Sequence, residues 1–164
     1  MFDGRAWAFL AVFLLFLAQN FLEYLLPGQA PSLVLIGVIY FSLRGGPRFG
    51  TVLGFFAGAL AELYGQGAFG FYLAEWAVVG AVSGLVSSQI FQDSLPAEIF
   101  LPGLAAYFSN FAELAYRRLG AGGPFPWDGF VQAFRPGVIA VTALASLVLF
   151  SWLKKFPKAS PWHR

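Results

Sequence analysis

Six apolar segments, separated by short links that contain Gly, Pro and charged residues, follow one another along this 164-residue chain. A transmembrane helix needs about 20 consecutive, mainly apolar residues, and the chain is 59% hydrophobic and 11% charged, against roughly 45–50% and 25% in soluble domains. The pattern predicts an all-α integral membrane protein, one domain over residues 1–164, built as a bundle of about six transmembrane helices. These predicted helices cover residues 6–26, 31–43, 49–64, 68–91, 96–116 and 136–153.

The first two segments each allow more than one interpretation. The first follows Arg5 and could be a secretory signal, but its apolar stretch continues to Leu26 and no A-x-A-like cleavage site follows, so we expect a retained membrane helix. The second is short, and at 1.5 Å per residue it spans about two-thirds of a ~30 Å hydrocarbon core. It must extend into the following turn, thin the bilayer or be sheltered by its neighbours.

Basic residues between the segments predict the orientation, because short cytoplasmic loops carry an excess of Lys and Arg. With a cytoplasmic N-terminus, seven basic residues fall inside and three outside, which favours a multi-pass protein with both termini in the cytoplasm. The inner group is Arg5, Arg44, Arg48, Lys154, Lys155, Lys158 and Arg164, and the outer group is Arg117, Arg118 and Arg135. The link 92–95 has no basic residue, so a five-helix alternative stays open.

The longest link, residues 117–135, is predicted on the outer side. Its glycines and prolines exclude a long helix, while Phe125, Trp127, Phe130 and Phe134 are apolar enough to lie on the membrane surface. Two interpretations remain: an interfacial loop anchored by aromatic side chains, or a lid over an outward-facing cavity.

Several function classes are disfavoured by residue content. The net charge of +2 does not indicate nucleic-acid binding, because the basic residues are scattered rather than clustered on one solvated face. The chain has no Cys, and its single His, His163, lies beside the C-terminal residue, which argues against a metal site or a His-based triad. No nucleotide-binding or hydrolase motif is present. We therefore expect no enzymatic activity, no catalytic residues, no metal and no cofactor.

Two rows of small residues recur at four-residue spacing. In lipid, such rows let two helix backbones approach closely. They are predicted either to pack helices within the bundle or to receive a partner's transmembrane helix. The first row is Gly46, Gly50, Gly54 and Gly58, and the second is Gly80, Gly84 and Ser88.

Acidic residues inside apolar segments form a second group. A charge in hydrocarbon costs on the order of a few kcal/mol, so each is a functional candidate. In the predicted topology they lie in the outer half of the bundle, where they form either a satisfied structural network or a shallow ligand cavity. Gln19 and Glu23 share a helix face, and Glu113 can pair with Arg117 one turn on. The full predicted layer is Gln19, Asn20, Glu23, Glu62, Glu75, Asn110, Glu113 and Arg117.

The run from Pro31 to Gly84 resembles the MreD family of bacterial rod shape-determining proteins. The shared pattern is a Pro-led apolar helix, a short basic turn, a Gly-rich helix that ends in an acidic residue, and a Gly-containing turn into another helix. Its key stretch is residues 54–70, GFFAGALAELYGQGAFG. Family members commonly carry Asp where this chain has Glu62, a departure that keeps the charge.

The resemblance implies a non-enzymatic scaffold in the bacterial inner (plasma) membrane that supports rod shape and lateral peptidoglycan synthesis. Such proteins bind MreC and work alongside MreB, the RodA glycosyltransferase and a class B penicillin-binding protein. The family is also similar to the six-helix S components of energy-coupling factor transporters. That likeness supplies an alternative, in which the layer around Glu62, Glu75 and Asn110 binds a vitamin-sized solute.

Overall fold

The computed structural model describes residues 4–27, 32–64, 70–87, 95–125, 127 and 136–153. All regular secondary structure in these ranges is helical, which confirms the all-α prediction for this part of the chain. The helices are α1 (Gly4–Leu25), α2 (Leu33–Tyr64), α3 (Phe71–Ser87), α4 (Leu95–Gly120) and α5 (Pro136–Leu153). The predicted link 65–67 and most of the link 92–95 lie outside the described residues.

Helix α2 is a hairpin of two arms, residues 33–45 and 47–64. Gly46 between them has φ 80° and ψ 176°, a conformation that glycine adopts without steric cost. Pro47 then starts the second arm, where its missing N–H is not needed. A Cβ atom built on Gly50 would lie 2.8 Å from the Ser42 Cβ, whereas residues eight apart in a continuous helix are separated by about 12 Å. The chain therefore reverses at Gly46.

Helix α1 packs against both arms and fixes their directions. The Val34 N–H donates to Gln19 Oε1 over 3.1 Å, and Leu15 lies against Gly37, so α1 and the first arm are antiparallel. Along the second arm, Phe9 of α1 meets two phenylalanines, with ring centroids 6.0 Å from Phe49 and 5.2 Å from Phe56. Further on, Phe16 meets Tyr64 at 5.3 Å. These contacts make α1 parallel to the second arm.

The remaining helices continue the alternation of direction. Phe71 stacks on Tyr116 with ring centroids 4.5 Å apart, and four residues further along α3 Glu75 meets Ser109, so α3 and α4 run antiparallel. Helix α5 lies parallel to the first arm, because Thr142 contacts Ser32 and Phe150 contacts Tyr40 at the other end.

The first arm forms the centre of the molecule. Every residue from 33 to 42 is buried, so this arm has no outward face. The helices around it expose large apolar side chains along their length. Examples, one from each of α1, the second arm, α3, α4 and α5, are Phe21, Phe55, Val78, Phe100 and Val148.

One helix among the described residues, Ala6–Leu25, is long and apolar enough to cross a membrane. Only 22% of its apolar window is buried within the protein, unlike the core helix of a soluble domain. Two shorter apolar helices, Phe71–Val86 and Ile139–Leu153, accompany it.

Candidate functional site: a glycine seam and a polar layer

The second arm of α2 and α3 meet along a seam of glycines, which we call the glycine seam. A Cβ added to Gly50, Gly54 or Gly58 would lie less than 3.0 Å from the backbone of α3, closer than real Cβ atoms approach other atoms. The same holds in the other direction for Gly80 and Gly84 against the backbone of α2. The two backbones are therefore in direct contact, as small residues at this spacing allow.

The glycine seam has a regular antiparallel register. Gly84 faces the turn at Gly46, and Gly80 faces Gly50. Where α3 carries large residues, the arm still supplies glycine: Gly54 faces Trp76, and Gly58 faces Tyr72. Each step moves four residues on both helices, so one face of the second arm matches one face of α3 from end to end.

The predicted small-residue rows are thus placed against each other. Gly46, Gly50, Gly54 and Gly58 pack on the face that carries Gly80 and Gly84, while Ser88 lies outside the described residues. A partner's helix could occupy either row only if the seam opened. In the closed seam, the backbone of the same chain fills this surface.

Two members of the predicted polar layer bind the beginnings of neighbouring helices. Gln19 accepts a hydrogen bond from the Val34 N–H at the start of α2. Glu62 Oε1 accepts from the Gly70 N–H at 2.7 Å and the Leu73 N–H at 3.1 Å, where α3 starts. The first N–H groups of a helix lack partners within it, and an acceptor there also opposes the positive end of the helix dipole. Gln19 and Glu62 therefore cap helices other than their own.

Four other members of the layer make local or surface interactions. Asn20 donates to the Phe16 carbonyl within α1, and Glu23 is exposed. Glu113 and Arg117 form the predicted pair one turn apart, at 2.5 Å, with 74% of the Arg117 side chain exposed. Exposed pairs of this kind contribute little to stability.

Glu75 of α3 meets Ser109 of α4, and Asn110 follows Ser109 along α4. Ser109 Oγ donates to Glu75 Oε1. The second carboxylate oxygen, Oε2, and Asn110 Nδ2 are both buried, and neither has a hydrogen-bond partner among the described residues. Tyr72 and Glu113 lie within electrostatic range of this group. An acceptor and a donor are thus left unused on adjoining helices.

Sequence reasoning missed three residues that belong to this region. Tyr72 and Trp76 were not singled out, although both face the glycine seam through their backbone. The buried hydroxyl of Thr142, which the Ser32 N–H approaches at 3.4 Å, was also missed. An aromatic or a Thr inside an apolar run carries no pattern that separates core packing from a polar contact.

The described ranges contain no group of three or more His, Asp and Glu side chains arranged to hold a metal ion. The comparisons with protein-family models, with curated protein sequences and with solved structures found no significant match for this chain.

Proposed function

We propose that this chain is a multi-pass membrane protein whose six helical segments, counting the two arms of α2 separately, all cross the bilayer. The supporting observation is the apolar exterior. Large apolar side chains are exposed on every helix around the first arm, whereas monomeric soluble proteins rarely expose apolar patches beyond a few hundred Å². Hydrocarbon is the medium in which such a surface is stable.

The alternating helix directions support this topology. At one end of the bundle, hydrogen bonds join Gln19 to the start of α2 and Glu62 to the start of α3. Glu75, one turn into α3, lies at the same end and bonds to Ser109. Arg44 and Arg48, both exposed, lie at the hairpin turn at the opposite end. By the excess of basic residues on the cytoplasmic side, the polar layer faces outward and both termini lie inside.

Within that membrane, the proposed role is a non-enzymatic scaffold of the cell-wall elongation complex. The chain binds MreC and, through the complex, works with RodA, a class B penicillin-binding protein and MreB. The support is the resemblance of residues 31–84 to the MreD family. Residues 47–64 and 71–84 of this stretch are also the parts joined by the glycine seam, so the resemblance includes one packed unit. Because the seam is filled from within, the partner's helix would contact another face.

A specific observation favours the alternative, an S component of a vitamin transporter. The unused acceptor of Glu75 and the unused donor of Asn110 are groups that a small polar solute could satisfy, and buried polar atoms are rarely left without partners. In this function the α3–α4 boundary would open to admit the solute.

Affinity purification from the native host distinguishes the two functions. The tagged full-length chain is extracted in mild detergent, and the retained proteins are identified by mass spectrometry, with an unrelated tagged membrane protein of similar size as control. We expect recovery of MreC together with wall-elongation proteins. Recovery of paired ATPases and a coupling subunit instead would contradict the scaffold proposal and favour vitamin uptake.

A double variant, Glu75→Gln with Asn110→Ala, provides a matched test in the same experiment. A scaffold should recover MreC in equal amount with and without these substitutions, provided that protein levels are equal. Loss of a co-purifying small molecule on substitution, with no MreC in either sample, is the result that would support the S-component alternative.

A further inference from the structure

Where α3 meets α4, carboxylates lie beside aromatic rings. Phe71 of α3 stacks on Tyr116 of α4, and Ser109 of α4 donates to Glu75 of α3. Tyr72 lies within electrostatic range of Glu75 and of Glu113. Positions 109, 113 and 116 fall on one face of α4, because residues three and four apart share a helix face. We call this boundary the α3–α4 cleft; its residues, all partly buried, are Phe71, Tyr72, Glu75, Ser109, Glu113 and Tyr116.

The helices are joined differently here than along the glycine seam. In the seam, two backbones are in direct contact. In the α3–α4 cleft, the contacts run through side chains, by ring stacking with centroids 4.5 Å apart and by a hydrogen bond from a hydroxyl to a carboxylate. Side chains change rotamer within nanoseconds, so a ligand group can enter the cleft without moving a backbone.

Glu75 has an unused acceptor and no positive partner. Its Oε1 accepts from Ser109, while its Oε2 is buried and has no hydrogen-bond partner among the described residues. The groups that act on it electrostatically are Ser109 and Glu113, neither of which carries a positive charge. Arg117 pairs with Glu113 instead. A carboxylate removed from water is costly unless a positive group compensates it, so the cleft lacks one positive hydrogen-bond donor beside Oε2.

The composition of the cleft selects the chemistry of that donor. An anion is disfavoured by the two carboxylates. A metal ion is disfavoured because the described part of the chain contains no group of three or more His, Asp and Glu side chains arranged to hold one. Aromatic rings beside carboxylates are typical of sites for organic ammonium ions, which interact favourably with the faces of the rings. A protonated primary amine also supplies N–H groups for Oε2.

We propose that the α3–α4 cleft binds a primary ammonium group, which donates a hydrogen bond to Glu75 Oε2 and lies next to the aromatic rings of the cleft. Two sources share this chemistry: the headgroup of phosphatidylethanolamine and a free amine solute. Access to a lipid headgroup rests on the membrane topology under "Proposed function", whereas the site itself is independent of the scaffold role. If the chain is an S component instead, the same site specifies an amine as its solute.

The first test uses a free amine. The full-length protein in an uncharged detergent is titrated with ethanolamine at constant ionic strength, with sodium chloride as the control salt. At ten times the dissociation constant, ethanolamine should raise the Tm by about 3–6 °C. Glu75→Gln removes the charge and should abolish this rise. Glu23→Gln removes the same charge from an exposed position and should preserve it.

The second test uses lipid. The protein is reconstituted into phosphatidylglycerol vesicles that contain equal amounts of phosphatidylethanolamine and phosphatidylcholine, and the lipid that stays bound after extraction is identified by native mass spectrometry. Phosphatidylcholine carries the same charge but has no N–H to donate. We expect enrichment of phosphatidylethanolamine by about ten-fold, equivalent to one charge-assisted hydrogen bond, and loss of the enrichment in Glu75→Gln. A response to ethanolamine without enrichment of lipid would assign the site to a free amine.

The outcomes separate this proposal from the membrane topology. Folded protein that shows neither a Tm rise with ethanolamine nor a preference for phosphatidylethanolamine would overturn the ammonium site, as would effects that persist unchanged in Glu75→Gln. Failure to co-float with vesicles would overturn the topology, and the titration in detergent would still test the cleft.

Discussion

Two kinds of residue determine how this bundle holds together. Glycines on the second arm and α3 remove side chains where the backbones touch. Polar side chains at one end of the bundle, Gln19 and Glu62, satisfy N–H groups at the starts of α2 and α3. Both kinds act by geometry at single positions, so single substitutions test them.

Replacement of Gly54 should be strongly destabilising. A Cβ there would overlap the carbonyl of Trp76, and relief requires two backbones to move apart, so Gly54→Ala is expected to cost about 1–3 kcal/mol. Gly54→Leu should cost more, and should lower the protein level or MreC recovery. The matched control is Gly103→Ala, whose Cβ would lie 3.7 Å from Ile139 in ordinary contact. Thermal unfolding in detergent should show a lower Tm only for the Gly54 variants, and equal values would contradict the close contact.

Glu62 should tolerate an amide but not a methyl group. In Glu62→Gln the side-chain oxygen can still accept from Gly70 and Leu73, although the loss of charge weakens both bonds. The variant should fold with a modestly lower Tm. Glu62→Ala leaves the start of α3 uncapped and is expected to cost about 0.5–2 kcal/mol. The exposed Glu23 provides the comparison, because Glu23→Ala should change stability little. If the Glu62→Ala and Glu23→Ala variants have the same Tm, the capping role is wrong.

At the scale of elements, much of the helical pattern could be read from the sequence, but the neighbours of each helix could not. Apolar runs bounded by Gly, Pro and charge indicate helices, and the structure has α5 at Pro136–Leu153, the range predicted. The turn between the predicted second and third helices was set at residues 44–48, yet only Gly46 leaves the helical conformation. A positive φ at one glycine reverses the chain with no loop; the Gly and Pro residues of this link indicate a turn, but not that a single residue makes it.

In the candidate site, too, contacts within one helix were predictable from the sequence, and contacts between helices were not. Four-residue spacing predicts a smooth helix face, but spacing does not reveal that the face of the second arm meets α3 in register. The pair Glu113–Arg117 was predictable because both residues lie on one helix. The contacts Gln19–Val34 and Glu75–Ser109 join different elements, so their formation depends on the assembled bundle.

Cysteine cross-linking tests the hairpin directly, since the chain has no native Cys. Phe16 and Tyr64 have ring centroids 5.3 Å apart, so a short bifunctional maleimide should rapidly join the two thiols of the Phe16→Cys/Tyr64→Cys variant. Phe9 lies two turns before Phe16, about 10 Å away along α1. The control pair, Phe9→Cys with Tyr64→Cys, should react slowly. The cross-link is read as a gel shift of protein that has been cleaved once between the two cysteines. Equal rates for the two pairs would contradict the reversal at Gly46.

For the whole molecule, the proposed topology alternates the direction of successive helices across the bilayer and places both termini in the cytoplasm. Reporter fusions in the bacterial envelope test this topology. Green fluorescent protein fused after residue 164 should fluoresce, because the proposed topology places the C-terminus in the cytoplasm. Alkaline phosphatase fused after Gly120, at the end of α4, should be active, because the proposed topology places that end on the outer side. A dark green fluorescent protein fusion after residue 164, together with active alkaline phosphatase after Gly120, would contradict the even number of spans.

The enclosure of the first arm has a consequence for biosynthesis. Residues 33–42 are surrounded by protein on every side, and part of that enclosure, the second arm and α5, is synthesised later. While the ribosome is still making these parts, the first arm has only α1 beside it, and its 13 residues span only about 20 Å. If the proposed topology holds, stable insertion waits for the chain beyond Gly46, so that the two arms enter the membrane together as one unit.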